Sequence, residues 1–243
     1  MTKTKGIILA GGSGSRLYPL TKVTNKHLLP VGNKPMIYHS IHKLTQAGIT
    51  DILIISGTDH LGSIVSLLGS GSEFGCALTY RVQDEAGGIA QALGIAEPFV
   101  NGGRCVVILG DNIFERPLGS FVSAFDAQPC GARLLLIEHE NPHRFGVATL
   151  GDNQKLLTIV EKPKTPDSNC IVTGIYAYDS VVFDYVRACS PSKRNELEIT
   201  DVNNLYIQDG TCYYDILSGW WSDAGTFESL HHASQLIQDN PIH

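Results

Sequence analysis

The chain has 243 residues, 43% hydrophobic and 17% charged, which is enough apolar material for a large core and too little charge for a disordered chain. Its net charge of −6 excludes a whole-protein basic field for nucleic acid, although local Lys, Arg and backbone N–H groups with a metal can still hold phosphate. No apolar run approaches the length of a membrane span, and the six cysteines are widely and irregularly spaced with no CxxC pair; this argues for free thiols in a reduced, cytoplasmic setting and against a disulfide framework or a thiolate metal site.

The polar opening Met1-Thr2-Lys3-Thr4-Lys5 leads into an apolar run at 6–10, too short for a signal sequence and ending at glycines. Its β-branched content predicts a buried parallel strand. A glycine turn follows, Gly11-Gly12-Ser13-Gly14-Ser15-Arg16. Glycines admit positive φ and close approach of a ligand, successive N–H groups form an anion-binding concavity, and Arg16 adds a multi-donor fork for phosphate oxygens. A tight strand-to-helix turn would use the same glycines. The segment is not a dinucleotide fingerprint, which needs glycine where Leu17 stands and an acidic residue about 20 positions on; nor is it a P-loop, which ends in Gly-Lys-Ser/Thr. Lys26 comes next, within Asn25-Lys26-His27-Leu28-Leu29-Pro30.

Residues 36–47 place Ile37, Ile41 and Leu44 on one helix face. Residues 52–55 predict a strand, 60–68 and 89–96 shorter helices, and 105–109 and 134–137 further buried strands. Strands alternating with helices predict a doubly wound α/β sheet with helices on both faces, whose ligands lie beyond the carboxyl ends of the strands. The glycine turn and Asp111 both sit at such ends. In the second half, 147–150, 156–160, 171–178 and 211–216 predict strands; 181–188, 201–208 and 227–238 predict helices. With no internal repeat and no low-complexity linker, 1–243 reads as one domain. The histidines show no metal spacing, and no Ser-His-Asp constellation is present.

One combination is long and specific: Gly11-Gly12-x-Gly14-x-Arg16-Leu17, Pro19-Leu20-Thr21, Lys26-His27-Leu28-Leu29-Pro30-Val31 and Lys34-Pro35-Met36-Ile37. It resembles the opening of the glucose-1-phosphate thymidylyltransferases, within the wider sugar nucleotidyltransferases, and the likeness extends to about Leu236. The resemblance implies a Rossmann-like mixed sheet of the nucleotidyltransferase type, flanked by helices, with a sugar-binding lobe. The nucleotide-binding half would be about 1–112 and the sugar-binding half about 113–243. It also implies that Leu9, Gly11, Gly12 and Gly14 wrap a triphosphate that Arg16 and Lys26 neutralise. Gln83 and Gly88, in Gln83-Asp84-Glu85-Ala86-Gly87-Gly88, would meet the base; the family's usual Pro and Asp before the glycine are Ala86-Gly87 here.

Leu109-Gly110-Asp111-Asn112 and Trp221-Ser222-Asp223-Ala224-Gly225-Thr226 resemble the family's metal motifs, which implies Mg²⁺ on Asp111 and Asp223. Taken alone, either aspartate could cap a following helix. Phe145-Gly146-Val147, Glu161-Lys162-Pro163 and Val172-Thr173-Gly174-Ile175-Tyr176 resemble the sugar-side motifs. Gly146, Glu161, Thr173, Gly174 and Tyr176 would then face the hexose, with Tyr176 equally suited to the core, while Lys162 and Arg194 would clamp the sugar phosphate. Phe145 stands where the family has Tyr, and Glu196 and Glu198 would shape the Arg194 loop. Arg16, Lys26, Asp111 and Lys162 form the implied catalytic set. The implied substrates are dTTP and glucose 1-phosphate, with UTP or another hexose 1-phosphate as alternatives; a homo-oligomer is expected, without nucleic acid or membrane. A non-catalytic nucleotide-sugar sensor is the alternative of a different class. The chain resembles the family's short members, which lack the helices of an allosteric nucleotide site, so different regulation is expected.

Overall fold

The computed structural model describes residues 3–240, so Met1 and Thr2 of the polar opening lie outside it. Two compact units draw on the chain in alternation. A parallel unit takes Lys5–Ala86, Ile108–Ser120 and Gly219–His243; a mixed unit takes Gly87–Val107 and Phe121–Ser218 together with the chain before Lys5.

The parallel unit begins with β1 (Lys5–Leu9), a short hairpin of β2 (Pro30–Val31) and β3 (Lys34–Pro35), and α1 (Met36–Gln46). Then come β4 (Asp51–Gly57), α2 (Leu61–Leu68) and β5 (Ala77–Gln83). The expected helix face is the buried one: Ile37, Ile41 and Leu44 are 0% exposed. β1 pairs in parallel with β4, from Gly6↔Ile52 to Leu9↔Ile55, and β4 with β5, from Asp51↔Ala77 to Gly57↔Gln83. Ile7, Ile8, Ile52, Leu53 and Ile54 are fully buried on both sheet faces, which is why their runs are continuous rather than alternating.

The chain enters the mixed unit with α3 (Ile89–Ile95) and α4 (Glu97–Val100), and returns to the parallel unit within β6 (Cys105–Leu109). There it forms β7 (Asn112–Phe114) before α5 (Gly119–Ala127) carries it back. The mixed unit then adds β8 (Ala132–Glu138), β9 (Gly146–Leu150), β10 (Leu156–Glu161), β11 (Cys170–Tyr178), α6 (Val182–Ala188), α7 (Ile199–Gln208) and β12 (Cys212–Ile216). β8 is flanked by β11, antiparallel, and β12, parallel, while β9 and β10 form an antiparallel pair. Finally β13 (Trp221–Asp223) and α8 (Phe227–Asp239) rejoin the parallel unit, where β13 pairs with β7. The architecture is thus a mixed α/β sheet flanked by helices. Among the described residues no helix is long and apolar enough to cross a membrane, and all six cysteines are free.

Candidate functional site

In the parallel unit, Ala10 prolongs β1 by donating its N–H to Ile55 O at 2.8 Å. Gly12 (φ 92°) and Gly14 (φ 61°) then take left-handed backbone that glycine adopts without strain, and the turn runs into one 3-10 turn, Ser15–Leu17, anchored by the buried Leu17. Gly11 lets Gln83 approach closely: a Cβ there would stand 2.8 Å from Gln83 Oε1. The buried Gln83, at the end of β5, therefore lies against the loop. Arg16 is exposed and reaches Gly225, where a Cβ would meet Arg16 Nη2 at 3.1 Å and Asp223 Oδ2 at 3.5 Å. Arg16 and Asp223 thus border the same glycine.

Lys26 opens a further 3-10 turn, Lys26–Leu28, capped by the buried Asn25. Lys26 Nζ donates to Asp111 Oδ2 at 2.6 Å, with both side chains 14% exposed. Burial opposes the Asp111 charge, but the Lys26 ammonium, with hydrogen bonds from Lys26 and Asn112, outweighs it and holds the carboxyl well below its usual range. His27 is the reverse case. Burial first, then Lys26, pushes its imidazole down to about 3, so the ring is neutral. That ring explains Gly110: a Cβ there would be 2.7 Å from His27 Cδ2, and the Gly110 N–H donates to Leu9 O at 2.9 Å.

A strand, not a helix, follows Asp111. In the β7–β13 pair Asn112 faces Asp223, and the Ala224 N–H donates to Asp111 O at 2.8 Å. Asp111, in the turn that enters β7, and Asp223, at the end of β13, are therefore brought side by side although far apart in sequence. Asn112 fixes both ends of this pairing: its Nδ2 donates to Asp111 Oδ1 at 3.1 Å, and its Oδ1 accepts Trp221 Nε1–H at 2.8 Å. Helix α8 has its own cap, a capping box between Thr226 and Ser229. Neither aspartate serves as a helix cap.

In the mixed unit, Gly146 faces Glu161 across the β9–β10 pair. Thr200 Oγ1 donates to Glu161 Oε2 at 2.6 Å, while Lys162 Nζ (3.3 Å) and Arg194 Nη2 (3.4 Å) flank Oε1. Lys162 takes a left-handed φ of 44°, costly for a lysine, and its N–H donates to Phe145 O at 2.9 Å. Arg194 is held by Glu198, at 2.8 and 2.9 Å, and by Glu196 at 3.3 Å. Glu198, at 12% exposed, shapes the Arg194 loop as expected. The structure brings Gly146, Glu161, Lys162 and Arg194 together.

Two sugar-side expectations, Thr173 and Tyr176, and one base-side expectation, Gly88, meet a different environment. Thr173 is 1% exposed and its hydroxyl donates to Leu135 O at 2.7 Å, bridging the register shift between Val172 and Tyr176 on β11; the side chain is committed to the sheet, leaving backbone atoms of Thr173 and Gly174 as what a hexose could meet. Tyr176 belongs to the core. It is 4% exposed and stacks on Tyr178 at 5.9 Å, which stacks on Tyr206 at 5.8 Å. Gly88 (φ 98°) has an internal reason to be glycine: a Cβ would lie 2.5 Å from Leu197 O, where Leu197 N–H donates to Gly87 O and Ala90 N–H to Leu197 O. Sequence reasoning assigned nothing to Asn25, His27, Asn112 or Thr200. Asn25 carried a usable signal, being a capping-type residue directly before Lys26.

The sequence pattern of the nucleotidyl transferase family matches residues 5–240. A glucose-1-phosphate thymidylyltransferase of Xanthomonas campestris pv. campestris is 46% identical over 241 residues, 98% of this chain and 82% of that protein. That of Neisseria meningitidis serogroup A is 44% identical over 237 residues, 96% of this chain and 82% of its own. A crystal structure from Bacillus anthracis, of a protein provisionally designated a glucose-1-phosphate thymidylyltransferase and in complex with a sucrose, shares 59% identity; its TM-score is 0.94, covering 98% of this chain and 96% of that one.

Proposed function

The chain belongs to the nucleotidyl transferase family, and we propose that it converts dTTP and glucose 1-phosphate to dTDP-glucose and pyrophosphate. Its resemblance to thymidylyltransferases of two bacteria supports the choice of substrates. The observation that carries the chemistry is the β7–β13 pair, which sets Asp223 opposite Asn112 and so beside Asp111, with Lys26 on one aspartate and Arg16 next to the other.

In this reading the glycine loop, Leu9 and the side chains of Arg16 and Lys26 receive the triphosphate. Charge builds on the departing pyrophosphate during transfer, and fixed cations there lower the barrier. Gln83 offers both a donor and an acceptor to a pyrimidine edge. Glu161 accepts from sugar hydroxyls beside Gly146, and Lys162 and Arg194 hold the sugar phosphate. A phosphate oxygen of glucose 1-phosphate attacks the α-phosphorus in line, forming the new P–O bond as the bond to pyrophosphate breaks. That oxygen is already nucleophilic, so neither a covalent enzyme intermediate nor a general base is required. Catalysis is positioning plus charge neutralisation. A homo-oligomer in a reduced, cytoplasmic setting completes the reading.

Asp111 and Asp223 fit Mg²⁺: they are hard oxygen donors, one in the turn entering β7 and one on its partner strand β13, and Asp111 is kept ionised. Bound there, the ion would neutralise triphosphate charge and polarise the α-phosphate. The test is pyrophosphate release from each of four nucleoside triphosphates against several sugar 1-phosphates, with and without Mg²⁺. dTTP with glucose 1-phosphate and Mg²⁺ should be fastest, with UTP second. No release from any pair would end the proposal.

A further inference from the structure

The buried amide of Asn25 touches both the glycine loop and the turn that carries Lys26. Its Nδ2 donates to Ala10 O at 3.1 Å, and Ser56 Oγ donates to the same carbonyl at 3.2 Å. Its Oδ1 accepts the His27 N–H at 2.8 Å and lies 2.7 Å from His27 Nδ1. Asn25 is 4% exposed and Ser56 0%, so no water replaces these bonds cheaply when one partner is lost.

The consequence follows from the planar, trans peptide bond. Across it the carbonyl and the next N–H point in opposite directions. Drawing the Ala10 carbonyl onto Asn25 and Ser56 turns the Gly11 N–H away from them, as the first backbone donor of the loop. The same amide caps the Lys26–Leu28 turn, from which Lys26 reaches Asp111 at 2.6 Å. One side chain therefore sets a backbone donor and a cation, the two kinds of group a triphosphate needs.

We propose that Asn25 is a positioning residue for the triphosphate, its buried amide fixing together the peptide that carries the Gly11 N–H and the turn that carries Lys26. Ser56 assists on the first of these alone. This rests on the nucleotidyl-transfer reading above, deepening its account of triphosphate binding. Because the role is exerted through groups that meet only the nucleotide, it separates the two substrates. Loss of Asn25 weakens triphosphate binding and leaves the sugar phosphate unaffected.

The experiment titrates inorganic tripolyphosphate and dTTP calorimetrically into the full-length protein, Asn25→Ala and Ser56→Ala, alongside KM for each substrate and thermal melting. Asn25→Ala should raise Kd for both triphosphates about tenfold, the effect of one lost buried hydrogen-bond set. KM for glucose 1-phosphate should stay within about twofold, and Ser56→Ala should shift triphosphate binding by a smaller factor in the same direction. Unchanged triphosphate binding would overturn the proposal. So would equal weakening toward both substrates in step with a lowered melting temperature. If Asn25→Ala does not fold, Ser56→Ala decides by the same criteria. Failure of the wild-type protein to release pyrophosphate would count against the proposed reaction, while tripolyphosphate binding by the variants still decides the role of Asn25.

Discussion

Two buried ionisable neighbours, Asp111 and His27, are held in opposite charge states. Asp111 stays anionic because Lys26 is 2.6 Å away; a negative charge is what ligation of a divalent cation calls for. Asp111→Asn preserves an oxygen for Lys26 but removes the charge. Mg²⁺-dependent pyrophosphate release should fall at least about 100-fold, while the circular dichroism spectrum stays native. The melting temperature should drop, since the largely buried Lys26 is left without its counter-ion. Full activity in this variant would refute the metal assignment. His27 is neutral instead, and its stability linkage has a definite sign. Its folded pKa, about 3, lies below the usual 6.5, so the unfolded state binds more protons between those values. The stability due to neutral His27 is complete above 6.5 and declines as pH falls toward 3, by roughly 3 kcal/mol from pH 7 to pH 4. His27→Gln lacks this decline. Urea unfolding of both proteins across that range should show their difference in unfolding free energy swinging by about this amount in favour of the variant; parallel curves would show that His27 does not titrate on unfolding.

Long elements and short ones differ in how they are specified. β1, β4 and β6 are continuous apolar runs, and the α1 face repeats with helical period, so these are legible from hydrophobicity alone. β5 reads ALTYRVQ and is only half-buried; its pattern is too polar to announce a strand, although a motif marks Gln83 at its end. β7 and β13 have three residues each, too few for any periodicity, and only their pairing identifies them as strands. The motifs mark Asp111, in the turn before β7, and Asp223, on β13, as candidate metal ligands; the β7 strand and the Thr226 cap exclude the helix-cap role that either aspartate alone would also suit. Thr173 and Tyr176 show the opposite limit: a motif names positions, while burial decides which atoms they offer. The short pair depends on few bonds, and one of them is Trp221 Nε1–H to Asn112 Oδ1 at 2.8 Å. Trp221→Phe keeps most of the apolar contact and deprives Asn112 of that donor. A cost of about 1–3 kcal/mol in urea unfolding is expected, together with weaker Mg²⁺ dependence of turnover because Asn112 no longer steadies Asp111. An unchanged Mg²⁺ titration would show that the strand pair is not what orders the carboxylates.

At the scale of the whole molecule, the chain visits each compact unit more than once. A split near residue 112 follows the motifs, since Arg16, Lys26 and Asp111, the residues proposed for the phosphate side, precede it, yet Asp223 returns to the parallel unit from the far end of the chain. Hydrophobic patterns show that a segment is buried but not against what, so this return was visible only through the aspartate motif. Physically it is a packing requirement. Val31, Met36 and Ile113 are 0% exposed because Ala224 and Ala233, with Trp220, Leu230 and Ile237 beside them, cover that core. Gly32 is fitted to the same helix, where a Cβ would stand 3.0 Å from Ile237 Cγ2. A chain ending after Ser218 would uncover this cluster and leave β7 without its partner strand. Each large apolar side chain so exposed costs about 1.5–3 kcal/mol, and several together exceed a large part of the 5–15 kcal/mol that holds an ordinary domain folded. The truncated chain should therefore lose cooperative thermal unfolding, bind a hydrophobic dye and release no pyrophosphate. Adding a separate peptide covering 219–240 should restore part of the melting transition if β13 and α8 supply packing as well as Asp223. A truncated chain that melts cooperatively at the wild-type temperature would show that the returning segment supplies the aspartate alone.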